Sequence, residues 1–147
     1  MKLRLILTLS GLVIGTVMPA VGQDKNTVDP EVRQQIEAAL TKSDEAFNKN
    51  DATATAALYT QDAAEVWSGW SAGGLAFGQQ AIEKRHAANF ASNPGKLSHK
   101  LVQVHAIGNE ICAISELDDP HLKRKDYVVT IYVREADDWK IRMAYVN

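Results

Sequence analysis

The sequence predicts an α+β fold in which three N-terminal helices lie against a cone-shaped, curved antiparallel sheet. Three observations predict it. Two apolar patterns with helical spacing meet at residues 48–51, and another covers residues 79–91. Strand-like segments then follow from residue 97 to residue 146. Helices packed on one side of a largely antiparallel sheet define the α+β class. We expect a concave, mostly apolar cavity between them, which is the usual setting for a small ligand.

The first helix is predicted to begin at Asp29, Pro30 and Glu31, which supply an N-cap, a proline at the first helical position and an acidic first turn. Its apolar face recurs at helical spacing. The residues of that face are Val32, Ile36, Leu40, Ser43 and Phe47.

A second helix is predicted to begin at its Asp51 cap and to carry three residues inward. A strand over residues 63–67 follows, and then a loop over residues 68–78 that is rich in glycine and serine. The third helix comes after this loop. The inward residues are Ala54, Ala57 and Leu58 in the second helix, and Ile82, His86 and Phe90 in the third.

The second half of the chain predicts four strands, at residues 97–107, 110–117, 123–134 and 139–146. Gly108 and Asn109 form a two-residue turn between the first pair. With the strand at 63–67, we expect a sheet of four or five strands. Alternation predicts one shared face for Tyr127, Val129, Ile131 and Val133, and one for Trp139, Ile141, Met143 and Tyr145.

The N-terminus has the pattern of a cleavable secretory signal. Lys2 and Arg4 precede an apolar run over residues 5–17, and small residues precede Gln23. We therefore expect a signal peptide at residues 1–22, a mature domain at residues 23–147, and a secreted or periplasmic protein. The run is short for a membrane span, so no membrane association is expected after cleavage.

Charge and cysteine content narrow the class of protein. The formal net charge of −2 gives no reason to expect nucleic acid as a partner. Cys112 is the only cysteine, so no internal disulfide is possible, and its apolar surroundings favour an inert thiol.

Four short motifs carry a resemblance. Phe47-Asn48-x-x-Asp51 followed by Leu58-Tyr59-x-x-Asp62-Ala63 resembles the first half of SnoaL-like proteins, in the nuclear transport factor 2-like superfamily. Gly78-x-x-Ala81-Ile82 and Asp138-Trp139-Lys140-Ile141 are similar to that family's third helix and last strand. The resemblance covers most of residues 30–147 and implies the cone fold and a homodimer formed through the sheet. Its members include enzymes and proteins that only bind, so fold alone does not decide function.

The resemblance can be tested against two enzymes of that superfamily. The positions of the general base and the helix tyrosine of ketosteroid isomerase correspond to Trp67 and Ser43, so both groups are absent. The Tyr-Asp pair of scytalone dehydratase corresponds to Phe47 and Asn48. The strand histidine of that enzyme is similar to His99, and it is the one catalytic residue of those compared that has a counterpart in this sequence.

His99 is therefore the candidate proton-transfer group. An imidazole near pH 7 takes or gives a proton, which isomerisation, dehydration and cyclisation require. It needs a partner that fixes its tautomer, and Glu116 on the neighbouring strand is the candidate. The alternative is an ordinary hydrogen-bonded strand histidine.

Aromatic residues and one further histidine are candidates for the pocket wall. Trp67 and Trp70 border the glycine-rich loop, where they suit a lid over an apolar ligand or an oligomer contact. His86 lies on the apolar stripe of the third helix, where a satisfied core histidine is the alternative. The predicted ligand-binding residues are Phe47, Trp67, Trp70, His86 and Tyr127.

No cofactor and no metal site is predicted. His105 is six residues from His99, about 20 Å along a strand, which is too far for one shared metal. His121 beside Asp118 and Asp119 suits a solvated acidic turn better than a cation site.

Two functions follow from the sequence. The first is binding of a small apolar molecule without catalysis, by an exported SnoaL-like protein that forms a homodimer. The second is a cofactor-free acid/base enzyme of the isomerase, dehydratase or cyclase type, which uses His99 with Glu116. A pocket with converging polar groups favours the enzyme, whereas a purely apolar pocket favours binding.

Overall fold

The computed structural model describes residues 28–68, 74–92, 95–120 and 125–147. The predicted signal segment, Trp70 and His121 lie outside these residues. The described elements are, in chain order, α1 (Pro30–Asn48), α2 (Ala52–Ala56), β1 (Tyr59–Trp67), β2 (Gly74–Phe77), α3 (Gln79–Ser92), β3 (Ser98–Ile107), β4 (Glu110–Asp118), β5 (Asp126–Glu135) and β6 (Asp138–Val146).

The predicted α+β class is confirmed. The described strands form one curved, unclosed sheet in the order β2-β1-β6-β5-β4-β3. Neighbouring strands are antiparallel, with one exception: β1 and β6 run parallel. The described sheet has six strands rather than four or five, because β2 forms inside the segment predicted as a glycine-rich loop.

Local sequence signals place the helices as predicted. The Asp29 carboxylate accepts the Glu31 N–H at the start of α1, and the Asp51 carboxylate accepts the Ala54 N–H at the start of α2. Each bond satisfies an N–H that has no partner within its helix. The apolar stripes of α1 and α3 are buried against the sheet. One detail of α2 is wrong: Ala57 is exposed, and the buried residues are Thr55 and Ala56.

Irregularities in two strands change which side chains share a face. The pairing of β3 with β4 shifts between Leu101 and Gln103, so His99 and His105 lie on opposite faces although six residues separate them. The pairing of β5 with β6 shifts near Arg142. Ile141 is therefore buried while Met143 is exposed, and the predicted shared face of β6 is wrong.

The two faces of the sheet have different surroundings. The inner face packs against α1 and α3 around a core that includes Ile36, Ile82, Val104 and Tyr132. The outer face carries two apolar rows that cross all the strands of the described sheet. Listed from β3 to β2, the first outer row is Gln103, Ile114, Val129, Tyr145, Val66 and Leu75. The second outer row is His105, Cys112, Ile131, Met143, Ala64 and Phe77.

Within the described residues, none of the helices combines the length and the apolar character that crossing a membrane requires.

Candidate functional site

A cavity lies between the helices and the inner face of the sheet. Its volume is about 60 Å³, which is more than a single water molecule requires. Its wall is mainly aliphatic and aromatic, with a few polar side chains from α1, α3 and the sheet. The polar lining residues are Ser43, Thr55, Tyr59, Glu65, His86, His99, Thr130 and Tyr132. A small molecule with one or two polar groups suits this lining.

His99 lines this cavity and is held by Asp44 of α1. The imidazole Nδ1 lies 2.5 Å from Asp44 Oδ1, and the His99 main-chain N–H donates to Asp44 Oδ2 at 2.9 Å. An ionised carboxylate only accepts hydrogen bonds, so Nδ1 carries a hydrogen. In the neutral ring, Nε2 then has its lone pair free, and none of the described residues donates to it. The pair therefore presents a proton acceptor at the cavity wall.

The predicted contact between Glu116 and His99 is wrong. Lys100 pairs with Glu116 across β3 and β4, whereas His99 pairs with Leu117. Neighbouring residues of a strand point to opposite faces, so Glu116 lies on the outer face of the sheet. There its carboxylate accepts from Lys125 at 2.6 Å, which raises the pKa of Lys125.

A second polar cluster lies at the β1 side of the cavity. Glu65 is 1% exposed, and its Oε1 accepts from the Tyr59 hydroxyl at 2.6 Å and lies 3.1 Å from His86 Nε2. Burial by itself raises the pKa of Glu65, but hydrogen bonds from His86, Tyr59 and Trp67 and the charge of His86 outweigh it and lower the pKa. Glu65 is therefore an ionised carboxylate inside the protein. Burial, and then the charge of Glu65, raise the pKa of Tyr59 well above its usual value.

Aromatic rings surround His86. Its ring stacks on Phe90 at 5.7 Å between centroids and meets the edges of Phe47 and Trp67 at 5.9 and 6.1 Å. His86 Nδ1 is buried and has no hydrogen-bond partner among the described residues. Nδ1 is therefore the ring nitrogen of His86 that remains available for a hydrogen bond.

Tyr132 contributes a phenol to the same cavity. The residue is 1% exposed, and its hydroxyl makes no hydrogen bond of ordinary geometry with any described residue. Burial, and then the charge of Asp44, raise the pKa of Tyr132, while the nearby Thr130 hydroxyl lowers it slightly. The phenol therefore keeps its proton and offers a neutral donor to a ligand.

The structure tests where the other predicted residues lie. Phe47, Trp67 and His86 line the cavity, and their role in ligand binding stays a prediction. Tyr127 does not, because it pairs with Glu116 on the outer face and is 47% exposed. The position of Trp70 stays a prediction.

Four site residues were missed by sequence reasoning: Asp44, Tyr59, Glu65 and Tyr132. Glu65 had a usable signal, because a charged residue at an inward position of an apolar strand is seldom buried without a partner. Tyr59 precedes the strand that the sequence predicts at residues 63–67, whereas β1 begins at Tyr59. Asp44 had no such signal, since its partner is 55 residues away in sequence.

A second, more polar cleft of about 280 Å³ lies between α1 and the hairpin of β5 and β6. Several of its charged groups are engaged: Lys42 pairs with Asp138, and Lys140 donates to the carbonyl of Ala57. The Arg134 guanidinium lies over the Trp139 ring at 5.6 Å.

Solved structures share this architecture. A domain of unknown function with a cystatin-like fold from Nostoc punctiforme superposes with a TM-score of 0.66 at 13% identity, covering 82% of this chain and 78% of that one. An NTF2-like protein of unknown function from Shewanella oneidensis has a TM-score of 0.61 at 18% identity, with 78% and 98% covered. The chain has the NTF2-like fold. Another NTF2-like protein of unknown function, from Pseudomonas putida, has a TM-score of 0.64 at 14% identity, with 81% and 87% covered.

The sequence matches no family model and no curated protein. The similarity to NTF2-like structures at these identities therefore concerns the fold. Membership of the SnoaL-like family stays a prediction.

Proposed function

We propose that the protein binds a small, largely apolar molecule with a carbonyl group and transfers a proton on it through His99. The observation that carries the proposal is the pairing of His99 with Asp44 at the wall of an apolar cavity. The carboxylate fixes the ring tautomer, and the free Nε2 accepts a proton from carbon or oxygen. Such a reaction requires neither a metal nor a cofactor.

The Tyr132 phenol supports the choice of a carbonyl compound. Tyr132 lines the cavity, and its hydroxyl is buried and has no partner of ordinary geometry in the described structure. A buried donor without an acceptor is costly, and a ligand oxygen would supply the acceptor. Negative charge that develops on this oxygen as a proton leaves carbon is stabilised by such a donor.

Binding without turnover is the second candidate function. Asp44 also accepts the His99 main-chain N–H, and the Asn48 amide binds both the N–H and the carbonyl of Leu97. These bonds attach the start of β3 to α1, so the His99–Asp44 pair has a structural use as well. A protein that only holds a small molecule would need the cavity but not the proton acceptor.

We further propose that the protein is a homodimer formed through the outer rows of the sheet. Leu75 and Phe77 are 51% and 67% exposed, and Met143 and Tyr145 are 42% and 38% exposed on the same face. Large apolar patches on a soluble protein usually mark an interface. Six strands at about 4.8 Å give a face roughly 25–30 Å wide. A square of that width has an area of roughly 600–900 Å², close to the 800 Å² or so that each partner buries in a stable interface.

Export is proposed on the sequence of residues 1–22. Expression of the full chain in a bacterial host, followed by N-terminal sequencing of the protein recovered outside the cytoplasm, tests it. A first residue near Gln23 agrees with the proposal. An intact N-terminus contradicts it.

The proton-transfer proposal is tested by screening purified protein against small ketones, alcohols and alkenes by ligand-detected NMR. Compounds that bind are then followed for conversion by the wild type, His99→Asn and His105→Asn. His105 lies on the same strand but on the outer face, so its replacement is the matched control. We expect conversion by the wild type and the control but not by His99→Asn. Binding without conversion by any form favours the second candidate.

A further inference from the structure

The cleft between α1 and the hairpin of β5 and β6 lies beside the inner cavity on the same face of the sheet. Arg134 pairs with Trp139 across the two strands, next to the pair of Tyr132 and Ile141. Alternation places these four side chains on the inner face. Tyr132 and Ile141 line both the cleft and the cavity, so they form a wall that the two have in common.

The α1 side of the cleft has polar residues at its two ends and a small apolar centre. Gln35, Ala38, Ala39 and Lys42 line it, at the spacing that places residues on one face of a helix. Because alanine has a very small side chain, the centre of this face leaves room between the helix and the hairpin. The volume of about 280 Å³ lies close to the lower end of the roughly 300–1,000 Å³ that is usual for small-molecule sites.

The Arg134 guanidinium is held in position at this cleft. Its Nη1 donates to Gln35 Oε1 at 3.1 Å, and its central carbon lies 5.6 Å from the centre of the Trp139 ring. The same Gln35 oxygen accepts the indole N–H of Trp139 at 2.9 Å, so one amide oxygen fixes both side chains. An arginine that is already ordered loses less conformational freedom when a ligand binds.

These contacts do not neutralise the charge of Arg134. Gln35 and Trp139 are uncharged, and within the described part of the chain no carboxylate forms an ion pair with Arg134. A guanidinium has five N–H groups in a planar fork, and the contact with Gln35 uses one of them. Arg134 is also exposed, so a ligand can reach it from solvent.

The charged lining of the cleft favours an anion with a single charge. Three cations and two carboxylates line it, which leaves one positive charge. These residues are Lys42, Arg134, Lys140, Asp137 and Asp138. The two carboxylates at the hairpin would repel a doubly charged group more strongly than a singly charged one.

We propose that this cleft is a binding site for a small organic carboxylate with a flat apolar body. The carboxylate accepts two parallel N–H groups from Arg134, because the guanidinium fork matches the planar geometry of a carboxylate. The apolar body of the ligand lies against Ala38, Ala39 and Leu58, which line the cleft. This site is independent of the proton transfer that is proposed for His99.

Benzoate is the probe for the first test, and the wild-type protein is sufficient for it. Two-dimensional ¹H–¹⁵N NMR follows the Trp139 indole N–H and the main-chain N–H of Ala38 during a titration. We expect both signals to shift and to reach saturation. Benzamide keeps the ring but lacks the charge, and should bind roughly tenfold more weakly or less, because hydrogen bonds to a charged acceptor are stronger. Equal binding of benzamide, no shift with benzoate, or shifts confined to inner-cavity residues such as Ala144 would overturn the proposal.

Phenyl phosphate distinguishes between two classes of anion. A phosphate monoester carries nearly two negative charges at neutral pH, and its oxygens are not coplanar. We expect it to bind the cleft more weakly than benzoate does. Tighter binding of phenyl phosphate would assign the cleft to phosphate esters and overturn the choice of a carboxylate.

Two replacements of Arg134 test its role directly. Arg134→Gln removes the charge, and we expect it to weaken benzoate binding by roughly tenfold or more. Arg134→Lys keeps the charge without the fork and should lose less affinity. Arg142→Gln is the matched control, because Arg142 is an exposed arginine of β6 that pairs with Glu110 outside the cleft. Unchanged affinity in Arg134→Gln, or an equal loss in Arg142→Gln, would overturn the proposal.

Discussion

Asp44 binds His99 twice, through the main-chain N–H at 2.9 Å and through the ring Nδ1 at 2.5 Å. One carboxylate thereby fixes both the backbone and the side chain of the same residue. Asp44 is on α1 and His99 is on the edge strand β3, so the pair also joins helix to sheet. Loss of the carboxylate charge should therefore affect stability and proton transfer together.

Asp44→Asn is expected to lower the free energy of unfolding by about 1–3 kcal/mol, because hydrogen bonds to a charged acceptor are replaced by bonds to a neutral amide. Conversion of a bound ketone should fall further than this, since the amide no longer fixes the His99 tautomer. Urea unfolding and the conversion assay measure the two effects. Glu45→Gln, an exposed neighbour on the same helix, is the control. Equal free energies of unfolding for Asp44→Asn and the wild type would contradict the stabilising role of the His99–Asp44 pair.

Tyr59→Phe is expected to cost about 1.5–3 kcal/mol of stability, because it removes a hydrogen bond to a buried carboxylate and leaves no replacement donor. Chemical unfolding measures the cost. Tyr127→Phe removes the same hydroxyl from an exposed position of the outer face and should change the free energy of unfolding little. A loss of similar size in both variants would show that Glu65 does not depend on Tyr59.

Glu65 predicts a loss of stability in acid. Its pKa in the folded protein is lowered from an ordinary value of 4.5, so the unfolded chain takes up the proton first as the pH falls. The stabilisation is fully present above about pH 4.5 and disappears as the pH falls through the folded pKa. The gap in unfolding free energy between wild type and Glu65→Gln should therefore narrow between pH 6 and pH 3. A gap that widens in acid would contradict this sign.

Met143→Glu tests the proposed dimer, because it places a charge within the outer rows of the sheet. We expect sedimentation velocity to show a dimer for the wild type and a monomer for the variant at the same concentration. Thr41→Glu introduces the same charge at an exposed helical position and should leave the dimer intact. A monomeric wild type, or a dimer that survives in Met143→Glu, would contradict the proposal.

Local chemistry made most of the fold predictable. The caps Asp29 and Asp51 and the apolar stripes that include Ile36 in α1 and Phe90 in α3 fix the helices, and each of these signals lies within a few residues of sequence. Strand partners are different, because the parallel contact of β1 with β6 joins segments about eighty residues apart in sequence. No short sequence pattern predicts such a contact.

The site was less predictable than the fold for a related reason. His99 and His86 were recognisable as residue types with proton chemistry at inward positions. Their carboxylate partners were not, since Asp44 and Glu65 lie 55 and 21 residues from them in sequence. The prediction that Glu116 is the partner of His99 was wrong by one strand residue, because Lys100 rather than His99 lies on the same face of the sheet as Glu116.

The central claim is that a small carbonyl compound occupies the cavity beside His99. The most direct test compares binding of 2-butanone to the wild type and to Ala144→Met by ligand-detected NMR. Ala144 is buried and lines the cavity, so the longer side chain fills it. Circular dichroism establishes that the variant is folded, since an overpacked core is often destabilised. Binding by the wild type that is lost in the folded variant is the predicted result. Equal binding by both proteins, or none by the wild type, would contradict the claim.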